Sequence, residues 1–153
     1  MVTQYIKFSI SIAIISWMVG IIFNGILRKT KYYKSLSNLN FIKSKVQNKR
    51  IGLGIFKWIV KNTFFKYLNQ SLKLKYKIEI IELKELRKEM TLAEINHLIG
   101  FCFVTVFAFV KVTDGYYLFG LIIMIVNILL NLYPSLLQQE NKRRIDRFIK
   151  KYS

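Results

Sequence analysis

A single cysteine, Cys102, rules out an internal disulfide, and a single histidine, His97, leaves no second imidazole to complete a metal-binding set. One Glu-x-x-His pair supplies half of a di-iron ligand group, and the sequence holds no second copy, so no metal and no bound cofactor is expected. Serine elbows, phosphate-binding glycine loops and dinucleotide-binding glycine patterns are all missing, and Gly52 with Gly54 reads only as a turn. Acidic residues are scarce as well: 8 Asp and Glu face 25 Lys and Arg, for a formal net charge of +17. Yet 53% of the 153 residues are hydrophobic, an unusual combination for a soluble basic protein.

The apolar residues gather into long runs. A hydrocarbon core about 30 Å thick needs roughly 20 mainly apolar helical residues to cross it. The first run, Phe8 to Leu27, carries no charge and reads as a spanning helix. It lacks the preceding basic cluster and the small-x-small site of a cleaved signal peptide, so it is expected to stay. The second span, about 92–110, joins a short apolar stretch to helix-permissive residues from Thr91, which draws Glu94 and His97 to the membrane boundary. The third covers about 116–138. Only Lys111 to Gly115 separates the last two, a polar turn that makes them an antiparallel hairpin. The expected fold is an all-α integral membrane protein, a single membrane domain over 1–153 with a basic lobe at 28–90 and a basic tail at 139–153.

Orientation follows from the basic residues, because short basic loops are retained in the cytoplasm. Arg28 to Lys88 holds 17 of the 25 and Lys142 to Lys151 holds 6, which puts the N-terminus outside and the C-terminus inside. Within the lobe, residues 51–74 interleave Phe56, Trp58, Phe64, Phe65 and Tyr67 with Lys57, Lys61 and Lys66. Such a segment suits a membrane interface, lying on it or dipping in, with ammonium groups on anionic headgroups. The same mixture also describes a single-stranded nucleic-acid surface, but a cytoplasmic membrane face is basic anyway, and no nucleic acid is expected. From Tyr76 to Met90 acids and bases stand three and four apart, as in a solvated helix leading into the membrane, although the alternation around Ile78, Ile80 and Ile81 also fits a short strand.

Ionisable residues inside a span are costly and are read first as functional. Glu94 and His97 share a helix face, with Glu89 a turn below, and a carboxylate beside an imidazole is the pattern of a general base. Asn127, Asn131, Pro134, Gln138 and Asn141 recur at intervals of three and four on the third span and should face a neighbouring helix rather than lipid. His97 lies 17 residues before Asp114 and Asn131 lies 17 after it, so both sit roughly 26 Å from the turn at 1.5 Å per residue. The expected pocket comprises Glu94, His97, Asn131, Gln138 and Asn141 and opens toward Arg143, Arg144 and Arg147. The bland alternative is that these groups merely hold two helices together, at around 1 kcal/mol per bond. Cys102 reads as a small packing residue.

The pattern Glu89-x3-Ala93-Glu94-x2-His97, with Asn131-x6-Gln138-x2-Asn141-x2-Arg144 after the next apolar helix, resembles the glycosyl-4,4'-diaponeurosporenoate acyltransferase family. The likeness departs at Leu92 and Lys142, where members often carry a basic residue and an arginine. It implies a bacterial multi-pass inner-membrane enzyme that moves a fatty acyl chain onto a glycosylated carotenoid or related lipid. In that reading His97, oriented by Glu94, deprotonates the acceptor hydroxyl, and Asn131 and Gln138 donate to the oxyanion. Lys142, Arg143 and Arg144 attract the phosphates of acyl-CoA or of an acyl-carrier protein. The rival expectation is a non-enzymatic accessory subunit of a larger transport or secretion complex.

Overall fold

The computed structural model describes residues 1–42, 44–62 and 79–152. Every regular element among them is helical: α1 (Val2–Leu27), α2 (Tyr33–Leu36), α3 (Lys45–Arg50), α4 (Leu53–Asn62), α5 (Ile80–Thr113), α6 (Tyr117–Asn127) and α7 (Tyr133–Tyr152). A π-helical turn, Ile128–Leu132, joins α6 to α7. Among the described residues, three helices are long and apolar enough to cross a bilayer: Val2–Leu27, Ile80–Thr113 and the continuous run Tyr117–Lys151.

Helix α5 runs unbroken from Ile80 into the apolar stretch, as the solvated helix leading into the membrane would. No glycine or proline interrupts residues 79–99, and Glu82, Glu85 and Lys88 sit at helix-compatible spacing. Ile80 and Ile81 therefore belong to a helix and not to a strand, while Lys77 and Ile78 lie outside the described residues. The interfacial segment expected over 51–74 is described only to Asn62, where α4 buries Leu53 and Val60 and exposes Ile55, Trp58 and Ile59. Gly52 and Gly115 take left-handed backbone angles, φ 77° and 83°, which a residue with a Cβ adopts only under strain. Gly115 thereby lets the chain leave α5 and enter α6 within a few residues.

The chain forms two compact units. The first comprises Met1–Asn38 and Leu92–Ser135. Its apolar core holds Ile12, Val104, Ala108 and Ile123, flanked by Phe103, Phe107, Phe119 and Met124. Tyr5 stacks on Phe119 at 4.1 Å between ring centroids. Close approach is made possible by small residues. A Cβ at Gly20 would lie 2.3 Å from the backbone oxygen of Asn96, and one at Gly120 would lie 2.9 Å from that of Ala108. The outward face of α1 is apolar, with Ile14, Ile15, Met18, Ile21, Ile22 and Phe23 exposed.

The second unit comprises Leu39–Thr91 and Leu136–Ser153. Leu83, Met90 and Ile145 form its core, with Leu86, Phe148 and Ile149 packed against them. Two ion pairs tie it together: Arg87 pairs with Asp146 at 2.5 Å, and Lys57 pairs with Glu140. Arg143 holds the Asn40 side chain and the Ile42 carbonyl, and Gln139 accepts from the Phe41 N–H at 2.9 Å. These bonds fasten residues 40–42 to α7.

Candidate functional site

The residues expected at the site fall into two sets. Glu94, His97 and Asn131 belong to the first unit, and Glu89, Gln138, Asn141, Arg143 and Arg144 to the second.

In the first unit, Asn131 Nδ2 donates to Ser16 Oγ at 3.1 Å and to Asn127 Oδ1 at 2.9 Å. Asn127 Nδ2 in turn donates to the Phe101 carbonyl at 3.0 Å and to Thr105 Oγ1 at 3.2 Å. The hydroxyls of Ser16 and Thr105 point to backbone carbonyls, at 2.6 and 2.7 Å. Every hydrogen in this chain has one destination, so the amide orientation follows from the bonding alone. Both Asn131 hydrogens are used, and its Oδ1 is left as the acceptor. His97 lies within hydrogen-bonding reach of that side chain. Asn131 Oδ1 is buried without a hydrogen-bond partner among the described residues, and the amide has no hydrogen left for an oxyanion in this arrangement.

Gly100 makes this meeting possible, because a Cβ there would stand 2.9 Å from Ser16 Oγ and 3.0 Å from Asn131 Oδ1. The π-helical turn carries Asn131, and Pro134 follows it. Proline has no N–H to return to the preceding turn and its ring crowds the carbonyl four residues back. A widened turn accommodates both constraints, and such turns recur at functional sites. Glu94 is fully buried. Asn24 and Asn96 pair their carboxamides at 2.6 Å, and Asn24 also donates to the Leu92 carbonyl at 3.1 Å. Tyr33, just beyond α1, has its phenol pushed up by burial and by the charge of Glu94, against an opposing pull from Arg28.

In the second unit, Asn141 Nδ2 donates to Gln138 Oε1 at 3.2 Å and lies 3.9 Å from the Met90 sulfur. Glu89 is exposed on α5. Arg143 is engaged with Asn40 and Ile42, and Lys142 is buried. Arg144 is exposed, its guanidinium 5.8 Å from the Phe148 ring centre, and Arg147 is exposed with Nε on the Arg143 carbonyl. Among the described residues, no three His, Cys, Asp or Glu side chains converge as a metal would require.

Sequence reasoning passed over Ser16, Asn24, Asn96, Thr105, Tyr33 and Gln139. For the α1 residues a signal was present: Ser9, Ala13, Ser16, Gly20 and Asn24 recur every three or four positions and mark a packing face in an apolar helix. Tyr33 and Gln139 carry no such mark.

No curated protein and no solved structure matches the chain. A family model described as glycosyl-4,4'-diaponeurosporenoate acyltransferase (CrtO) matches residues 29–151, which is most of the 153-residue chain and takes in α5, α6 and nearly all of α7. The chain belongs to the glycosyl-4,4'-diaponeurosporenoate acyltransferase family, and its role is that of an acyltransferase.

Proposed function

We propose that this chain is a membrane-embedded enzyme that moves a fatty acyl group from an acyl-CoA or acyl-carrier-protein thioester onto a hydroxyl of a glycosylated carotenoid or related glycolipid. The observation that carries the reading is the way His97 is held. His97 lies beside Asn131, three positions after the buried Glu94, and its Nδ1 has no hydrogen-bond partner among the described residues. In the tautomer whose lone pair stands on Nδ1, this nitrogen serves as the general base. Glu94, buried three positions earlier, supports the imidazolium that forms after proton transfer.

Proton, bonds and leaving group balance within this set. The acceptor hydroxyl gives its proton to His97, its oxygen attacks the thioester carbon, and the C–S bond breaks. The departing thiolate then recovers the proton. Arg144 and Arg147 serve the phosphates of the donor, as exposed guanidiniums. Arg143 instead pins residues 40–42, and Gln138 with Asn141 completes the binding set in the second unit. The chain sits in a bacterial inner membrane with its N-terminus outside and its basic surfaces in the cytoplasm, on anionic headgroups.

The test compares lipid and pigment extracts by mass spectrometry from cells lacking the protein, cells complemented with it, and cells complemented with His97→Ala. One acylated species should vanish in the first, return in the second and stay absent in the third. Identical profiles from inserted proteins would instead favour an accessory subunit that copurifies with a larger membrane complex.

A further inference from the structure

Helix α4 turns three large apolar side chains outward. Ile55 and Trp58 are 69% and 66% exposed, and Ile59 is exposed beside them. Spaced three and four apart, they share one face, opposite the side on which Leu53 and Val60 pack inward. A helix of 10 residues is about 15 Å long, roughly half of what a crossing needs, so α4 does not span a bilayer.

Its level is fixed by α7. Lys57 pairs with Glu140, and Asn48 on α3 donates to the same carboxylate at 3.1 Å. Glu140 stands one turn beyond Leu136 and Leu137, where the apolar part of the Tyr117–Lys151 run gives way to Lys142, Arg143 and Arg144. The two bonds therefore tie α4 to the end of a span, where hydrocarbon meets headgroups and an indole is best placed.

Charge identifies what covers the exposed face. The first 78 residues contain no Asp or Glu, and all 8 acidic residues follow from Glu79 onward. Lys49 and Arg50 stand just before α4 and Lys61 in its last turn, all three exposed. An anionic phospholipid surface supplies both halves of the match: acyl chains for Ile55, Trp58 and Ile59, and phosphates for the cations at either end of the helix.

We propose that α4 lies flat on the bilayer as an in-plane helix, with Ile55, Trp58 and Ile59 among the upper acyl chains and Lys49, Arg50 and Lys61 gathering anionic lipid around it. No step at His97 depends on this placement.

The chain holds two tryptophans, so Trp17→Phe leaves Trp58 as the one indole to follow by fluorescence. The full chain is reconstituted into vesicles of phosphatidylcholine mixed with phosphatidylglycerol. One lipid at a time carries bromine on its acyl chains, placed near the glycerol or near the bilayer centre. Bromine near the glycerol should quench Trp58 more than bromine near the centre. Quenching by each brominated lipid in turn should show phosphatidylglycerol enriched about fivefold over phosphatidylcholine around the indole. Lys49→Gln, Arg50→Gln and Lys61→Gln together should abolish that enrichment and leave the depth unchanged. The difference between the native chain and Trp58→Phe gives the same reading should Trp17→Phe fail to insert. Quenching mainly from the bilayer centre would overturn the flat placement, and equal enrichment of the two lipids would overturn the anionic match. An indole that no bromine reaches, whether hydrated or covered by protein, would overturn the proposal as a whole.

Discussion

The two units conceal their polar groups by different means. In the first, the bonded interior is neutral, made of the amides of Asn24, Asn96, Asn127 and Asn131 and the hydroxyls of Ser16 and Thr105. In the second, charged groups join in: Arg87 pairs with Asp146, Lys57 with Glu140, and Arg143 holds Asn40 and Ile42, beside the neutral bonds of Gln139 and Asn141. A charge drawn into hydrocarbon is costly, whereas a carboxamide that meets its partners is tolerated. Beside water the order reverses, because a charged pair keeps part of its hydration. Measured this way, Glu94 is the exception, a fully buried acid in the unit that otherwise uses neutral groups. Departures of that kind mark function before packing.

The comparison can be broken in graded ways. The largest effect is expected from His97→Ala, which should lower acyl transfer by about a hundredfold to ten-thousandfold with normal membrane insertion, read by turnover of labelled acyl-CoA. Gly20→Ala comes next, because its new methyl group meets the Asn96 backbone oxygen and not a movable side chain. A loss of about 1–3 kcal/mol should appear as a lower Tm in detergent, while Gly25→Ala, with nothing within 4 Å, should leave the Tm unchanged or slightly raised. Asn127→Leu deprives Asn131 of an acceptor, so about 1 kcal/mol should be lost. Arg87→Ala should cost at most about 1 kcal/mol, since its pair with Asp146 is largely exposed. Salt separates the last two. The Arg87 effect should shrink between low and high ionic strength and the Asn127 effect should not, and equal salt responses would erase the distinction between the units.

Counting along the sequence was enough to find some of this. Equal distances from the Asp114 turn pointed His97 at Asn131, because rise per residue is the same in both helices. The three spans could be read from apolar length alone. The charged helix leading into the second span was legible in the spacing of its acids and bases, but the alternation around Ile78, Ile80 and Ile81 left a short strand open until α5 was seen to run unbroken from Ile80. The hydrogen bonds of Asn131 could not be read from the sequence for a related reason. An asparagine offers donors and an acceptor, and only the positions of Ser16 and Asn127 decide which of them remains.

Apolar length, the spread of Lys and Arg, and the spacing of Glu94, His97 and Asn131 are one-dimensional properties. By themselves they determined that the chain is helical, that three segments can cross a bilayer, and which ionisable residues stand out. The tertiary structure alone decided that α1 closes on α5 through Gly20 and Gly100, that Ser16 orients Asn131, and that Trp17 meets His97. The physical reason is that these contacts join residues as many as 115 positions apart, and a hydrogen-bond direction exists only once both partners are in place.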